Sequence, residues 1–195
     1  MKQFMLFVSI LAVVVLFGGC YIIGQRNELI ALDEEVNNAW SNVDADLQRR
    51  NDLIPNLVST VKGYATHEED VYTKIADARS KLAGSASTKE KAEADAALTE
   101  GLGRLLVIAE NYPELKANES FLDLQTQLEG TENRIKVARV RYNDKVKVYN
   151  RSIRQFPGSL FAGNLPLIGL KLSARDYFEP PQGHDAVVIA PKVEF

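Results

Sequence analysis

The chain has 195 residues, a formal net charge of −3 and a mean hydropathy of −0.15. That length fits one domain with an appendage. The mildly acidic balance excludes a nucleic-acid binder, which would carry a clear basic excess. Ample Ala, Leu and Val with only 12 Gly and 7 Pro exclude a disordered chain.

Residues 4–23 carry no formal charge. Twenty residues at 1.5 Å each span a bilayer core of about 30 Å. Lys2 precedes the run, and Arg26, Glu28, Asp33, Glu34 and Glu35 follow it. This weak charge bias places the N-terminus in the cytoplasm and the body outside, periplasmic or extracellular. Cys20 is the single cysteine, so no intrachain disulfide can form. It closes a loose lipobox, Leu16-Phe17-Gly18-Gly19-Cys20, and is a candidate lipid attachment site after cleavage at residue 19. Phe17 is bulky for that pattern, however, and the apolar run continues through Tyr21, Ile22 and Ile23. A plain anchor explains that continuation; a cleaved signal does not. The expected divisions are an anchor over 1–25, a helical bundle over 26–157, and a strap with a flexible tail over 158–195.

Beyond the anchor, Leu29, Leu32, Val36, Trp40, Val43, Leu47, Ile54, Leu57 and Val61 recur in steps of mostly three or four, one buried helix face. Nothing between Ile23 and Leu29 breaks a helix, so the anchor runs into helix 1 as one rod to about Lys62. Pro55 lacks an N–H and predicts either a kink or a restart with Asp52 as cap. Gly63 is expected to end the helix in a left-handed conformation. Thr66 and Glu69 fit a capping box for helix 2, with Val71, Ile75, Ala78 and Leu82 facing inward. Ser87 and Glu90 fit another for helix 3, whose face is Ala94, Ala97, Leu98, Gly101, Leu102, Leu105, Ile108 and Tyr112. The Gly101-Leu102-Gly103 segment reads as close helix packing, and Pro113 is expected to stop the helix. Asn118 caps helix 4, with a stripe at Phe121, Leu124, Leu128, Ile135, Ala138, Tyr142, Val146, Tyr149, Ile153 and Phe156. Pro157 and Gly158 end it.

The expected fold is all-α: a transmembrane helix continuing into a long antiparallel up-down-up-down four-helix bundle. An irregular apolar C-terminal segment follows. From 157 to 179 it reads equally as a strap over the bundle or as a stretch dipping into the lipid interface. Residues 180–195 read as a flexible tail.

Little in the sequence points to catalysis. His67 and His184 are far apart in sequence, no Glu-x-x-His pair is present, and a single cysteine argues against a zinc site, so neither metal nor cofactor is expected. No Gly-x-Ser-x-Gly or P-loop pattern occurs. The acids at Asp33-Glu34-Glu35, at Asp44 and Asp46, and at Glu68-Glu69-Asp70 read as solvated helix faces. Arg49, Arg50 and Asp52 read as an ion-pair cluster, or as a surface for a carboxylate or phosphate partner. The basic end of helix 4, from Arg134 to Arg154, reads as a complement to the acidic start of helix 1. Attraction to anionic lipid headgroups is its second reading.

Three blocks carry a family resemblance: QRRNDLIPNLVSTVKGYATHEE over 48–69, AENYPELKANESFLDLQTQLEGTENRI over 109–135, and the closing PKVEF. They resemble the LemA family of bacterial membrane-anchored helical proteins. The resemblance implies a helical bundle on a membrane anchor, with no established catalysis. Within the first block, Arg49, Arg50, Asp52, Pro55, Asn56, Gly63, Tyr64 and Glu68 are the candidate interaction or structural residues. The function expected is that of a non-enzymatic structural or adaptor protein of the bacterial envelope. Its expected partners are membrane lipid, other copies of itself (a homo-oligomer) and an envelope protein. The alternatives are an enzyme or sensor with a polar site around Arg49, Arg50 and Asp52, and a tethered binding module.

If the apolar run alone anchors the chain, Cys20→Ser will stay in the membrane at unchanged apparent mass. Fatty-acid labelling that disappears in this variant together with anchoring would establish the lipoprotein reading instead.

Overall fold

A computed structural model describes residues 1–160 and 172–179. The order is α1 (Lys2–Lys62), α2 (Glu69–Gly84), α3 (Thr88–Ala109), α4 (Pro113–Lys116), α5 (Glu119–Arg154) and a 3-10 turn (Gly158–Leu160). Among the described residues the fold is all-helical, without strands. The chain divides into two compact units: Met1–Asp44 with Lys136–Asp176, and Ala45–Ile135 with Tyr177–Phe195.

Helix α1 is one unbroken element of 61 residues. The apolar run and the first core positions therefore share one helix, as the absence of breakers after Ile23 implies. An 18-residue window of α1 reaches a mean hydropathy of 2.7 with none of it buried. Exposed Phe4, Phe7, Leu11, Leu16, Phe17 and Ile23 surround that stretch on all sides. From Leu29 onward burial narrows to one stripe, as a helix packed on one face requires.

Pro55 lies inside α1 on its exposed side, and no restart occurs there. Asp52 is consequently not a cap; it is an exposed mid-helix acid whose Oδ1 accepts from Gln48 Nε2 at 2.9 Å. Gly63 does follow the last helical residue, but its φ is not left-handed. The end is closed instead by Tyr64 and Ala65 N–H groups, both donating to the Val61 carbonyl.

Helix α2 starts later than a Thr66 cap would give. Its N-cap is Glu68, without a side-chain bond, and Glu69 and Asp70 occupy the first turn. This register buries Tyr72, whose hydroxyl donates to the Ala65 carbonyl at 2.6 Å. Tyr72 thereby takes the inward place expected of Val71, which is half-buried. The Ser87–Glu90 capping box is present in full. The Glu90 carboxyl is held below its ordinary pKa, first by the Ser87 backbone N–H and then by the Ser87 hydroxyl and the Ala86 N–H.

In α3, Ala92, Ala94, Leu98, Gly101, Leu102, Leu105 and Ala109 are buried, whereas Ala97 is exposed. Pro113 does not stop α3, which already ends at Ala109. It opens the one-turn α4, where its missing N–H costs nothing. Asn118 caps α5 as expected, its Oδ1 accepting from Phe121 N–H at 3.1 Å. The α5 stripe is buried from Phe121 to Ile153, apart from the half-buried Leu128, but Phe156 lies past the helix end and is 80% exposed.

At Gly101, α3 lies close against α2. A Cβ there would sit 2.9 Å from Cγ1 of the buried Ile75, with the Ile75 backbone just behind it. A Cβ on Gly103 would meet open space. Alanine in place of Gly gains up to about 1 kcal/mol of helix propensity. Overpacking a tight core costs about 1–3 kcal/mol. Gly101→Ala should therefore lower the thermal midpoint and Gly103→Ala raise it. Two increases in the same melting experiment would contradict this helix contact.

Candidate functional site

The most polar part of either core is built around Arg50, in the unit that begins at Ala45. The α1 stripe carries Leu47, Ile54 and Leu57 inward, and three residues past Leu47 the same face turns Arg50 into the core. Only 4% of the residue is exposed. A buried guanidinium needs partners, because losing its hydration without compensation would cost several kcal/mol. Two helices supply them. From α3, Asp95 Oδ1 lies 2.6 Å from Nη1, and Thr99 Oγ1 accepts from Nη2 at 3.0 Å. From α5, Glu132 Oε2 lies 3.1 Å from Nη1. Asn51, also buried, accepts at Oδ1 from Arg79 Nε of α2. Two consecutive residues of α1 thus tie it to three other helices.

The structure separates the residues that the sequence grouped. Arg49 and Asp52 are exposed, so the Arg49-Arg50-Asp52 trio does not form one polar pocket. Asn56 is exposed, its carbonyl accepting from Thr60 Oγ1. The Tyr64 hydroxyl accepts from Nδ2 of Asn118, the cap of α5. The Glu68 carbonyl accepts from Val71 and Tyr72 at the start of α2. Lys62 Nζ stands 4.9 Å above the Tyr72 ring. The Tyr72 phenol is raised in pKa, chiefly by burial and then by the neighbouring Glu68 and Tyr112. These residues fasten the turn between α1 and α2. Asp95, Thr99, Glu132, Asn51 and Arg79 were not singled out from sequence. The one available signal was Arg50 itself, a cation spaced to fall on the apolar stripe.

A groove of about 420 Å³ opens beside the Arg50 cluster. Leu57, Leu102, Leu106 and Leu128 line one part, and Glu129, Glu132 and Asn133 another. Among the described residues, no group of three or more His, Cys, Asp or Glu side chains is placed to hold a metal ion.

A second polar cluster lies in the unit comprising Met1–Asp44 and Lys136–Asp176. Asn150 of α5 is buried and grips Arg175 twice: Nδ2 donates to the Arg175 carbonyl and Oδ1 accepts from its N–H, both at 2.9 Å. Tyr142 and Tyr149 hydroxyls donate to the carbonyls of Asp176 and Ser173. Arg175 then reaches Asp33 at 2.8 Å and Asn37 at 3.2 Å on α1. Its guanidinium is pushed further up in pKa, mainly by the bond to Asp33. Burial, followed by the Asp33 charge, raises the Tyr149 phenol. The described end of the C-terminal segment therefore straps α5 to α1; residues 161–171 and 180–195, including His184, lie outside the described residues.

These features define an all-helical protein with one N-terminal helix long and apolar enough to cross a membrane, and with polar clusters that tie its helices together. The chain belongs to the LemA family, whose model matches residues 39–195. It is 28% identical to Protein LemA of Metamycoplasma hominis over 151 residues, covering 77% of this chain and 69% of that protein. It is 25% identical to the magnetosome protein MamQ of Magnetospirillum gryphiswaldense over 217 residues, covering 98% and 77%. Magnetosome protein MamQ 1 of Paramagnetospirillum magneticum is 24% identical over 212 residues, covering 95% and 75%.

Removing one member of a buried ion pair costs about 3–5 kcal/mol. Because Glu132 is half-exposed and can rehydrate, Arg50→Ala should fall at the lower end, about 3 kcal/mol, with Arg49→Ala within about 0.5 kcal/mol of the parent. Urea midpoints of the two variants measure both. Equal small losses would mean that Arg50 is held for something other than the core.

Proposed function

We propose that this chain is a membrane-anchored structural or adaptor protein of the bacterial envelope. Its N-terminus is cytoplasmic, and it presents an antiparallel four-helix bundle on the other side for self-assembly and contact with an envelope protein. The observation that carries this reading is the continuity of α1. One helix holds an apolar stretch exposed on all sides and then the stripe from Leu29 to Val61. The first part suits lipid and the second a protein core, with no flexible link between them. A continuous helix of that kind joins an apolar span to a protein core without an intervening loop.

Self-assembly is supported by surface that nothing in the described chain covers. Val137, Val140 and Val148 are exposed at about half their area and fall on one face of α5. Within the anchor, a Cβ on Gly18, Gly19 or Gly24 would meet no atom within 4 Å, leaving room for a second helix to approach closely. Confinement to a membrane plane favours such meetings. The enzyme or sensor alternative has less support, because Arg50 is committed to Asp95, Glu132 and Thr99 while Arg49 and Asp52 face solvent. A tethered binding module would use the groove beside Leu102 and Leu128.

A cysteine in place of Asp144, midway along the valine face, in a Cys20→Ser background tests assembly directly. Oxidation in native membranes should yield a crosslinked dimer, and Val140→Glu should abolish it. Monomers under all oxidising conditions, together with a monomeric mass in several detergents, would leave the adaptor role without self-assembly.

A further inference from the structure

We infer that the C-terminal end of α5, with Arg151, Arg154 and the exposed Phe156, is a second membrane contact that docks on an anionic lipid surface. This rests on the reading of residues 4–23 as a membrane span. Three contacts set the register of α5 against α1 within the unit comprising Met1–Asp44 and Lys136–Asp176. Trp40 lies against Tyr142, with ring centroids 5.1 Å apart. Lys145 Nζ is 2.8 Å from Glu35 Oε2. Asn150 holds the Arg175 backbone while Arg175 binds Asp33. Each advance along α5 is matched by a retreat along α1. Carried onward at 1.5 Å per residue, this register brings Arg154 level with about residue 27 and Phe156 with about residue 25. Those levels are about 6 Å and about 3 Å past Ile23, the last residue of the apolar run. That depth is the headgroup layer, where aromatic and basic side chains gather.

The end of α5 is shaped to present Phe156. Gln155 N–H still donates to the Arg151 carbonyl, and Ser159 N–H donates to the Gln155 carbonyl at 2.8 Å. Gly158 is buried against Ser152, and a Cβ on it would collide with the Ser152 carbonyl oxygen. The chain turns tightly around that contact and leaves Phe156 at 80% exposure. In water an aromatic ring fixed in that position loses favourable burial; in the interface it gains it. Tyr21, 59% exposed on α1, sits at the same edge of the membrane.

Charge at this level favours an anionic surface. Arg26 and Arg154 stand against Glu28, which also accepts a bond from Gln25, and Arg151 lies about one turn further from the apolar run. The acids Asp33, Glu34 and Glu35 begin about ten residues beyond Ile23, or about 15 Å. Their field at the headgroups is weak, because the screening length is about 8 Å at physiological ionic strength. Asp33 and Glu35 are in addition paired with Arg175 and Lys145.

The test places a reporter at the predicted depth in the full chain. Phe156→Trp in a Trp40→Phe background is reconstituted into phosphatidylcholine vesicles, with or without phosphatidylglycerol, whose acyl chains are brominated near the headgroup. A Tyr21→Trp variant of the same background serves as reference for the anchor. Both tryptophans should emit blue-shifted and be quenched by bromine, and the Phe156→Trp signal should increase with phosphatidylglycerol. Arg151→Gln with Arg154→Gln should remove that increase, each arginine shifting the docking equilibrium on the order of fivefold. Quenching of Tyr21→Trp alone, with Phe156→Trp open to aqueous iodide in both vesicles, would overturn the inference and leave the anchor standing. Quenching of neither would overturn the anchor as well. Should Trp40→Phe disturb the fold, bimane on Phe156→Cys in a Cys20→Ser chain reads the same depth with Trp40 retained.

Discussion

The constraint on which everything else depends is that one helix must satisfy two solvents. Over its first part α1 offers apolar side chains in every direction, as a helix long and apolar enough to cross a membrane would offer them to hydrocarbon. From Leu29 it offers them along a single stripe, because water takes the other side. Backbone hydrogen bonding is indifferent to the change, so the helix runs on without interruption. The switch is written only in which faces are apolar.

A long amphipathic stripe specifies burial but not register. One apolar residue can slide to the place of another one turn away at modest cost. Charged pairs cannot, since a buried guanidinium displaced by a turn would lose all its partners. Arg50 therefore does for the unit that begins at Ala45 what Arg175 does for the other: it fixes which turn of each helix meets which. The buried amides Asn51 and Asn150 act in the same way, each having one geometry in which its donors and acceptors are matched.

Periodicity made most of the helices legible. The stripe of α1, the buried line of α5 and the Ser87 and Asn118 caps could all be read from spacing and local chemistry. The errors came where a longer-range contact overrode a local preference. Thr66 has the right neighbours for a cap, but Tyr72 sets the start of α2 through its bond to Ala65. Val71 and Tyr72 are both plausible inward residues by spacing, and only the tertiary partner decides between them. Pro113 reads as a stop or as a start, and the difference lies in whether the preceding helix has already ended. At the candidate site, the RRND run drew attention to its charges as a group. Helix geometry splits the group, because neighbours in sequence point about 100° apart on a helix. Arg50 and Asn51 turn inward, and Arg49 and Asp52 do not. The partners of Arg50 are 45 or more residues away and carry no local mark.

The strap at Ser173–Asp176 shows how a nonhelical segment can close a helical unit. Nonhelical backbone laid on a helix has no ladder to satisfy its carbonyls, and burying them unpaired would cost more than the apolar contact returns. Helix α5 solves this with side chains long enough to reach outward from a buried stripe. Tyr142 and Tyr149 each bury an aromatic ring in the core and spend the hydroxyl on a strap carbonyl. Asn150, beside Tyr149, takes both backbone groups of Arg175. The same residues therefore supply apolar packing to the helices and hydrogen bonds to the strap. With the backbone of Arg175 fixed, its side chain bonds an acid and an amide of α1, Asp33 and Asn37. Leu172 can then be buried at the edge of this polar row without leaving its neighbours unsatisfied. A purely apolar α5 stripe would have held a helix in that position, but not an irregular segment.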